Sequence, residues 1–332
     1  MIVMHDSNHR ASQLLKKGIA KMQESFHMKN SKKARRQHFS QHKWLYIMLV
    51  PPVVYFLIWC YGPMYGVIIA FKNYSPAIGI FNSPWVGMEN FQRFFDSYFF
   101  GEIIGNTLRL SIYSLLVGIP FPIILALMFN ELKNRYFKST VQTISYIPNF
   151  ISVVVVIGMV LFFTSPVDGV FNTILAFFGQ KPIDFMGSTK IFPHIYVWSG
   201  IWQSVGWGTL IYTAAMSGIS QDQYEAAHLD GASKLQAIRH ITIPAIMPTI
   251  VINTILATGG ILGVGFEKIL LMQNDMNLPV SEVISTYVYK AGVIGADFSF
   301  STAIGLFNNI INFSVLVLVN YFAKRVGETS LW

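Results

Sequence analysis

Ser220-Gln221-Asp222-Gln223-Tyr224-Glu225-Ala226-Ala227-His228-Leu229-Asp230-Gly231-Ala232-Ser233-Lys234-Leu235-Gln236, running on through Ile241 to Ile243-Pro244, is the stretch from which the rest of the chain can be ordered. Ser220 with Gln223 three residues on has the form of a capping box, and the residues that follow are mostly good helix formers. Asp230-Gly231 then interrupts, as a glycine just past a helix end does by allowing a positive φ. A second box, Ser233 with Gln236, predicts a second short helix to about Ile241. Pro244 and Pro248 favour a break after it. The expected product, roughly Ser217 to Met247, is helix, glycine elbow, helix. Tyr224, Ala227 and Leu229 give it apolar surface, and Ala226 and Ala227 permit close approach by another protein. Two readings fit: a helix that docks in a partner's groove, or a surface helix that stabilises an ordinary loop.

Outward from the elbow, charge disappears. Ile191 to Gln221 holds 31 residues without Asp, Glu, Lys or Arg, and His240 to Phe266 holds 27. Four more such runs are Trp44–Phe71, Leu110–Asn130, Ser139–Val167 and Phe298–Ala323, of 28, 21, 29 and 26 residues. About 20 apolar residues cross a bilayer core, so the expectation is an all-α membrane protein with six transmembrane helices. The composition agrees: 53% hydrophobic and 12% charged residues exclude a disordered chain and argue against a soluble enzyme. A single cysteine, Cys60, excludes a disulfide scaffold and a cysteine zinc cluster.

Lys and Arg orient the helices. Ten of the 24 lie within residues 1–43, and with the second–third loop, the fourth–fifth loop and the tail the same side holds 17. Both termini and the elbow are therefore expected in the cytoplasm. The expected domains are a basic segment 1–43, a six-helix transmembrane domain 44–323 with the elbow at about 217–247, and a tail 324–332. The basic segment reads as a topology anchor touching anionic lipid headgroups. Phe26, Phe39 and Trp44 are too sparse for a base-stacking platform, so no nucleic-acid partner is expected. Nor is it a cleavable signal peptide, since its basic and apolar runs are both too long.

The spacing Glu225-Ala226-Ala227, three residues, Gly231, nine residues, Ile241, one residue, Ile243-Pro244 resembles the Glu-Ala-Ala loop of ABC importer permeases. Only Ile243 departs, standing where Leu is usual. Trp85-Val86-Gly87-Met88-Glu89-Asn90-Phe91 is similar to the Trp-x-Gly-x-x-Asn-Phe stretch of carbohydrate-uptake permeases. Tyr61 to Gly66 and Phe71 to Tyr74 resemble the polysaccharide and oligosaccharide branch, which includes alginate transporters. The resemblance implies a type I ABC importer permease fold in the bacterial cytoplasmic (inner) membrane. It implies a second permease subunit, two ATPase subunits and an extracytoplasmic solute-binding protein as partners, and a saccharide substrate. Glu225, Ala226, Ala227, Asp230 and Gly231 are then the residues that couple to the ATPase.

No phosphate-binding loop occurs in the chain. ATP and Mg are therefore expected on the partner ATPase, with no cofactor and no catalytic or metal residues here. Candidate substrate-path residues are polar or aromatic groups inside the runs: Trp202, Gln203, Asn253, Asn308 and Asn312. Trp198 and Trp202 share a helix face on which sugar rings can stack, or they form an interfacial belt; the amides can equally be interhelical glue. Gly259, Gly260, Gly263 and Gly265 read as packing or bending points within the fifth span. Glu267 and Lys268 read as markers of its outer end rather than a buried relay. His194, His228 and His240 lack metal-ligand spacing. An ion- or proton-coupled secondary transporter is the alternative function; it lacks a confidently buried carboxylate and leaves the elbow unexplained.

Overall fold

The computed structural model describes residues 42–326 and residue 330. Most of the basic N-terminal segment and most of the tail lie outside the described residues. The chain divides into two compact units, Met1–Gly66 and Val67–Trp332. Helix α1 (Lys43–Phe71) begins in the first, and its last residues, from Val67, belong to the second. It tolerates Pro51 and Pro52 and loosens into a π-type turn over Phe56–Tyr61. From Lys43 to Met64 it buries no residue. An apolar rod exposed on every face is a helix built for lipid or for another membrane helix.

Within the second unit, a short α2 (Glu89–Phe95) leads to α3 (Phe100–Glu131). The third uncharged run differs from expectation. It forms α4 (Arg135–Phe150) and α5 (Val153–Phe163), set at 98° to one another. Pro148 tightens the end of α4 into a 3-10 turn, and Ser152 starts α5 by accepting from the Val155 N–H. Then come α6 (Val170–Phe177) and α7 (Phe192–Ser217), which is uncharged throughout. The elbow helix α8 (Gln221–Leu229) precedes α9 (Lys234–Thr258). Finally α10 (Phe266–Met272), α11 (Ile284–Tyr289) and α12 (Phe298–Val326) complete the chain. Helices α1, α3, α9 and α12 are long and apolar enough to cross a membrane, and the bent α4–α5 pair makes a fifth candidate. α7 has the length, but its Trp, Gln, Ser and Gly residues lower its hydropathy below that of the others.

Two further expectations are corrected. No break separates the elbow's second helix from the fifth span, because Lys234–Thr258 is continuous. A π-type turn at Ile238–Thr242 widens the helix just ahead of Pro244 and accommodates its missing N–H. At the other end, α9 stops at Thr258, so Gly259 to Gly265 lie in an irregular connection beyond the helix.

α7 is central to the second unit, packing on α3, α4, α5 and α9. Near the elbow, Tyr212 and Met216 bury against Ala126 and Ile246. Towards the opposite end, Phe192, Tyr196, Val197 and Ile201 bury with Leu110, Ile157, Ile269 and Met272. A third cluster gathers Phe94, Ile103, Leu262, Ile284, Phe300 and Ile304. At this end every part of the Trp85–Phe91 motif has a structural task. Trp85 stacks on Phe71 with ring centroids 5.7 Å apart, and Asn90 Nδ2 donates to Ala70 O (2.9 Å) and Lys72 O (3.2 Å). Phe91 is buried with Ala70 and Ala303. Arg93 then pairs with Asp297 at 2.8 Å and lies over the Phe300 ring.

Candidate functional site

The elbow is built by local chemistry. Ser220 Oγ accepts from the Asp222 N–H, capping α8 without the reciprocal bond expected from Gln223. At the far end the Ala232 N–H reaches Ala227 O (2.9 Å), the Gly231 N–H reaches His228 O (3.1 Å), and Gly231 has φ +80°. That pair of bonds is the Schellman closure. Ser233 and Gln236 then form a full capping box: Gln236 Oε1 accepts from the Ser233 N–H at 2.7 Å, and Ser233 Oγ accepts from the Gln236 N–H. A cap of this kind is worth about 1 kcal/mol. The Tyr224 hydroxyl meets Thr242 Oγ1 at 2.9 Å, tying α8 to the start of α9. Lys234 lies 3.4 Å from Glu131 at the end of α3.

What the elbow presents is distinctive. Leu229 and Leu235 are 88% and 75% exposed, and Glu225, Ala226, Asp230 and Gly231 are exposed as well, with Ala227 partly covered. The doubly capped turn thus holds two leucines in solvent among the described residues.

The substrate-path candidates separate into different surroundings. Trp202 and Trp198 line a cleft of about 530 Å³ with Val156, Phe163, Phe171 and His194. Trp198 Nε1 donates to the Tyr113 hydroxyl at 3.0 Å, which lies 2.9 Å from His194 Nδ1. An indole N–H only donates, so the tyrosine's own proton is left for His194 Nδ1. The network thus assigns the histidine proton to Nε2. Gln203 instead donates to Ile151 O at the α4–α5 bend (2.9 Å), and Asn312 Oδ1 accepts from the Leu262 N–H beyond the broken end of α9 (2.9 Å). Asn253 meets the Tyr212 side chain, and Asn308 Oδ1 is buried with no partner among the described residues.

Lys268 departs from its reading as an end marker. It lies on α10, between the candidate spans, and its ammonium donates to Tyr196 O at 2.6 Å and sits 4.7 Å from the Tyr196 ring centroid. Burial pushes it down to about 7, because desolvation disfavours the charged form. The ion pairs among the described residues are Arg93–Asp297, Lys234–Glu131 and Lys290–Glu282, so no carboxylate serves Lys268. Sequence reasoning missed this group, since its solitude depends on residues 70 positions away. Among the described residues no cluster of three His, Cys, Asp or Glu side chains is placed to hold a metal ion.

Residues 118–328 match the family described as "Binding-protein-dependent transport system inner membrane component". Protein LplB of Bacillus subtilis (strain 168) is 40% identical over 290 residues, covering 87% of this chain and 91% of that protein. The polygalacturonan/rhamnogalacturonan transport system permease protein YteP of the same organism is also 40% identical, over 88% of this chain and 91% of its own. Among solved structures, a bacterial alginate ABC transporter in complex with an alginate pentasaccharide-bound periplasmic protein contains a similar chain. It superposes with a TM-score of 0.82 at 39% identity, covering 89% of this chain and 99% of that one.

Proposed function

The chain belongs to the binding-protein-dependent transport system inner membrane component family, and from that premise we propose that it lines the path of an ATP-driven oligo- or polysaccharide importer. As a member of that family it is a transport subunit of the inner membrane, and ATP hydrolysis belongs to a separate subunit. The observation that carries the proposal is the elbow, with its Schellman glycine at Gly231 and its uncovered Leu229 and Leu235. Glu225, Ala226, Ala227, Asp230 and Gly231 form the surface that sits in a cleft of the ATPase. Closure of two ATPases around ATP and Mg pushes the elbow and opens the path outward; hydrolysis resets it. A ligand that differs by a few kcal/mol in affinity for the two states suffices to bias them.

Six spans complete this reading. The bent α4–α5 pair counts as one, and α7, at about 39 Å for 26 residues, supplies the sixth, its polar side chains sheltered by the surrounding helices. Both termini and the elbow then face the cytoplasm. The domains are a basic anchor over 1–43, the permease over 44–323 and a tail over 324–332. A second permease shares the path, and an extracytoplasmic binding protein delivers the saccharide. Trp202, Asn253 and Asn308 face it, while Gln203 and Asn312 shape it by holding backbone at the two breaks. The test is purification in mild detergent with mass spectrometry of the retained subunits. A second permease and an ATPase are expected; a lone chain that transports saccharide by itself overturns the reading.

A further inference from the structure

We propose that Tyr224 and Thr242 are the positioning pair that carries movement of the elbow into α9; this rests on the importer reading above. Helix α8 buries none of its residues and packs closely on no other element among the described residues. Its side chains make one hydrogen bond that leaves the helix, the 2.9 Å contact of Tyr224 Oη with Thr242 Oγ1. The Lys234–Glu131 pair joins α9 to α3 and bypasses α8. A displaced helix transmits through whatever packs on it or is bonded to it. For α8 that is the chain at its two ends and this bond between hydroxyls.

The far end of the bond lies where α9 is held least. Thr242 is 1% exposed and closes the π-type turn Ile238–Thr242, an interruption of the regular ladder of the kind found at functional sites. Thr107, Thr164 and Thr254 donate to the carbonyl four residues back in their own helices, at 2.7, 2.7 and 2.8 Å. The corresponding carbonyl for Thr242, Ile238 O, is taken by the Ile243 N–H five residues on. The Thr242 hydroxyl is turned to Tyr224 instead. Pro244, just beyond, adds no N–H to the ladder. Ile246 then buries against Tyr212 and Met216 of α7 and Ala126 of α3, so a tilt at the turn reaches both helices. The Lys234–Glu131 pair ahead of the turn is exposed and holds it weakly. A hydroxyl pair is a short directional link, whereas the Tyr224 ring without its oxygen can slide.

The experiment measures amide hydrogen exchange in the complete transporter, first without nucleotide and then with ATP and vanadate, which hold the ATPases closed. In wild type the trapped state should change exchange over both 221–229 and 238–243. Tyr224→Phe removes only the hydroxyl. Its change over 221–229 should persist, while that over 238–243 should shrink about fivefold, the factor one hydrogen bond supplies. Thr242→Val should do the same, and the double variant should lose no more than either single one. Thr242→Ser, which keeps the hydroxyl, should retain the wild-type response. Thr242 is buried, so Tyr224→Phe decides alone if Thr242→Val does not assemble. A Tyr224→Phe response over 238–243 equal to wild type overturns the proposal, as does a double variant whose loss is the sum of two separate ones. Release of the ATPase by Tyr224→Phe alone assigns the hydroxyl to the ATPase cleft and also overturns it. A wild type that responds over 221–229 but not over 238–243 overturns this inference and leaves the importer reading standing. A wild type that retains no ATPase overturns both.

Discussion

Gln203 Nε2 donates to Ile151 O at 2.9 Å, so α7 closes the backbone gap at the 98° bend between α4 and α5. A carbonyl freed at a helix break has no water to turn to inside a bilayer. The amide is therefore a fastening for the bend.

Gln203→Leu should leave that carbonyl unsatisfied and lower stability by about 1–3 kcal/mol. Thermal unfolding of the purified complex in detergent is the measurement. A lowered midpoint is expected even without saccharide. An unchanged midpoint with a raised half-saturation for uptake would make Gln203 a substrate contact alone.

Gly231→Val tests the elbow. No heavy atom lies within 4 Å of a Cβ built at this position, so the change meets no steric clash, and its cost is the φ of +80° alone. For a β-branched residue that cost is about 1–2 kcal/mol. Substrate-stimulated ATPase activity should fall while the amount of chain in the membrane stays constant. Gly231→Asn, which tolerates a positive φ, should retain most of the activity. If Val and Asn behave alike, the turn does not govern coupling.

Glu225 is exposed and makes no ion pair among the described residues. It is the fifth residue of α8, past the first turn that holds Asp222, so it gains little from the helix dipole. If it meets a cation in the ATPase cleft, losing the charge strands that cation at about 2–5 kcal/mol. Glu225→Gln should thus release ATPase from the detergent complex, more so at moderate salt, with the fold and membrane abundance unchanged. Equal retention by wild type and variant would reduce Glu225 to a solvated surface carboxylate.

Lys268 also predicts a pH dependence. With its ammonium lowered from 10.5 to about 7, the empty transporter carries a penalty for the charge below about pH 7. Its stability should rise between about 7 and 10.5, as the unfolded chain holds the proton more tightly than the folded one. The thermal midpoint of the purified complex should therefore climb over that range, and Lys268→Gln should remove the climb. The elements packed on α10 are α5, α11, whose Tyr289 ring meets Phe266 of α10, and α7, which brings the Tyr196 ring; neither α5 nor α11 contains an Asp, Glu or His. A midpoint that stays flat in wild type, or rises equally in Lys268→Gln, removes the lysine from that response.

The elbow was legible from the sequence because its geometry is decided within a few residues. Ser233 and Gln236 close their own capping box, and Gly231 needs only its missing Cβ to reach φ +80°. The apolar helices were legible for a similar reason: a run of some 20 residues without charge has few fates other than lipid. The points where those runs stop being simple rods were not. The bend at Ile151, the early end of α9 at Thr258 and the unpaired ammonium of Lys268 each depend on a group supplied from a distant helix: Gln203, Asn312 and Tyr196. A backbone break inside a membrane persists only where another element satisfies the freed hydrogen-bonding groups. A buried cation is solitary only if no helix folding against it brings a carboxylate. Local patterning thus set the elbow and the apolar runs, and long-range hydrogen bonding decided where the helices break and which ammonium rests on a backbone carbonyl instead of a carboxylate.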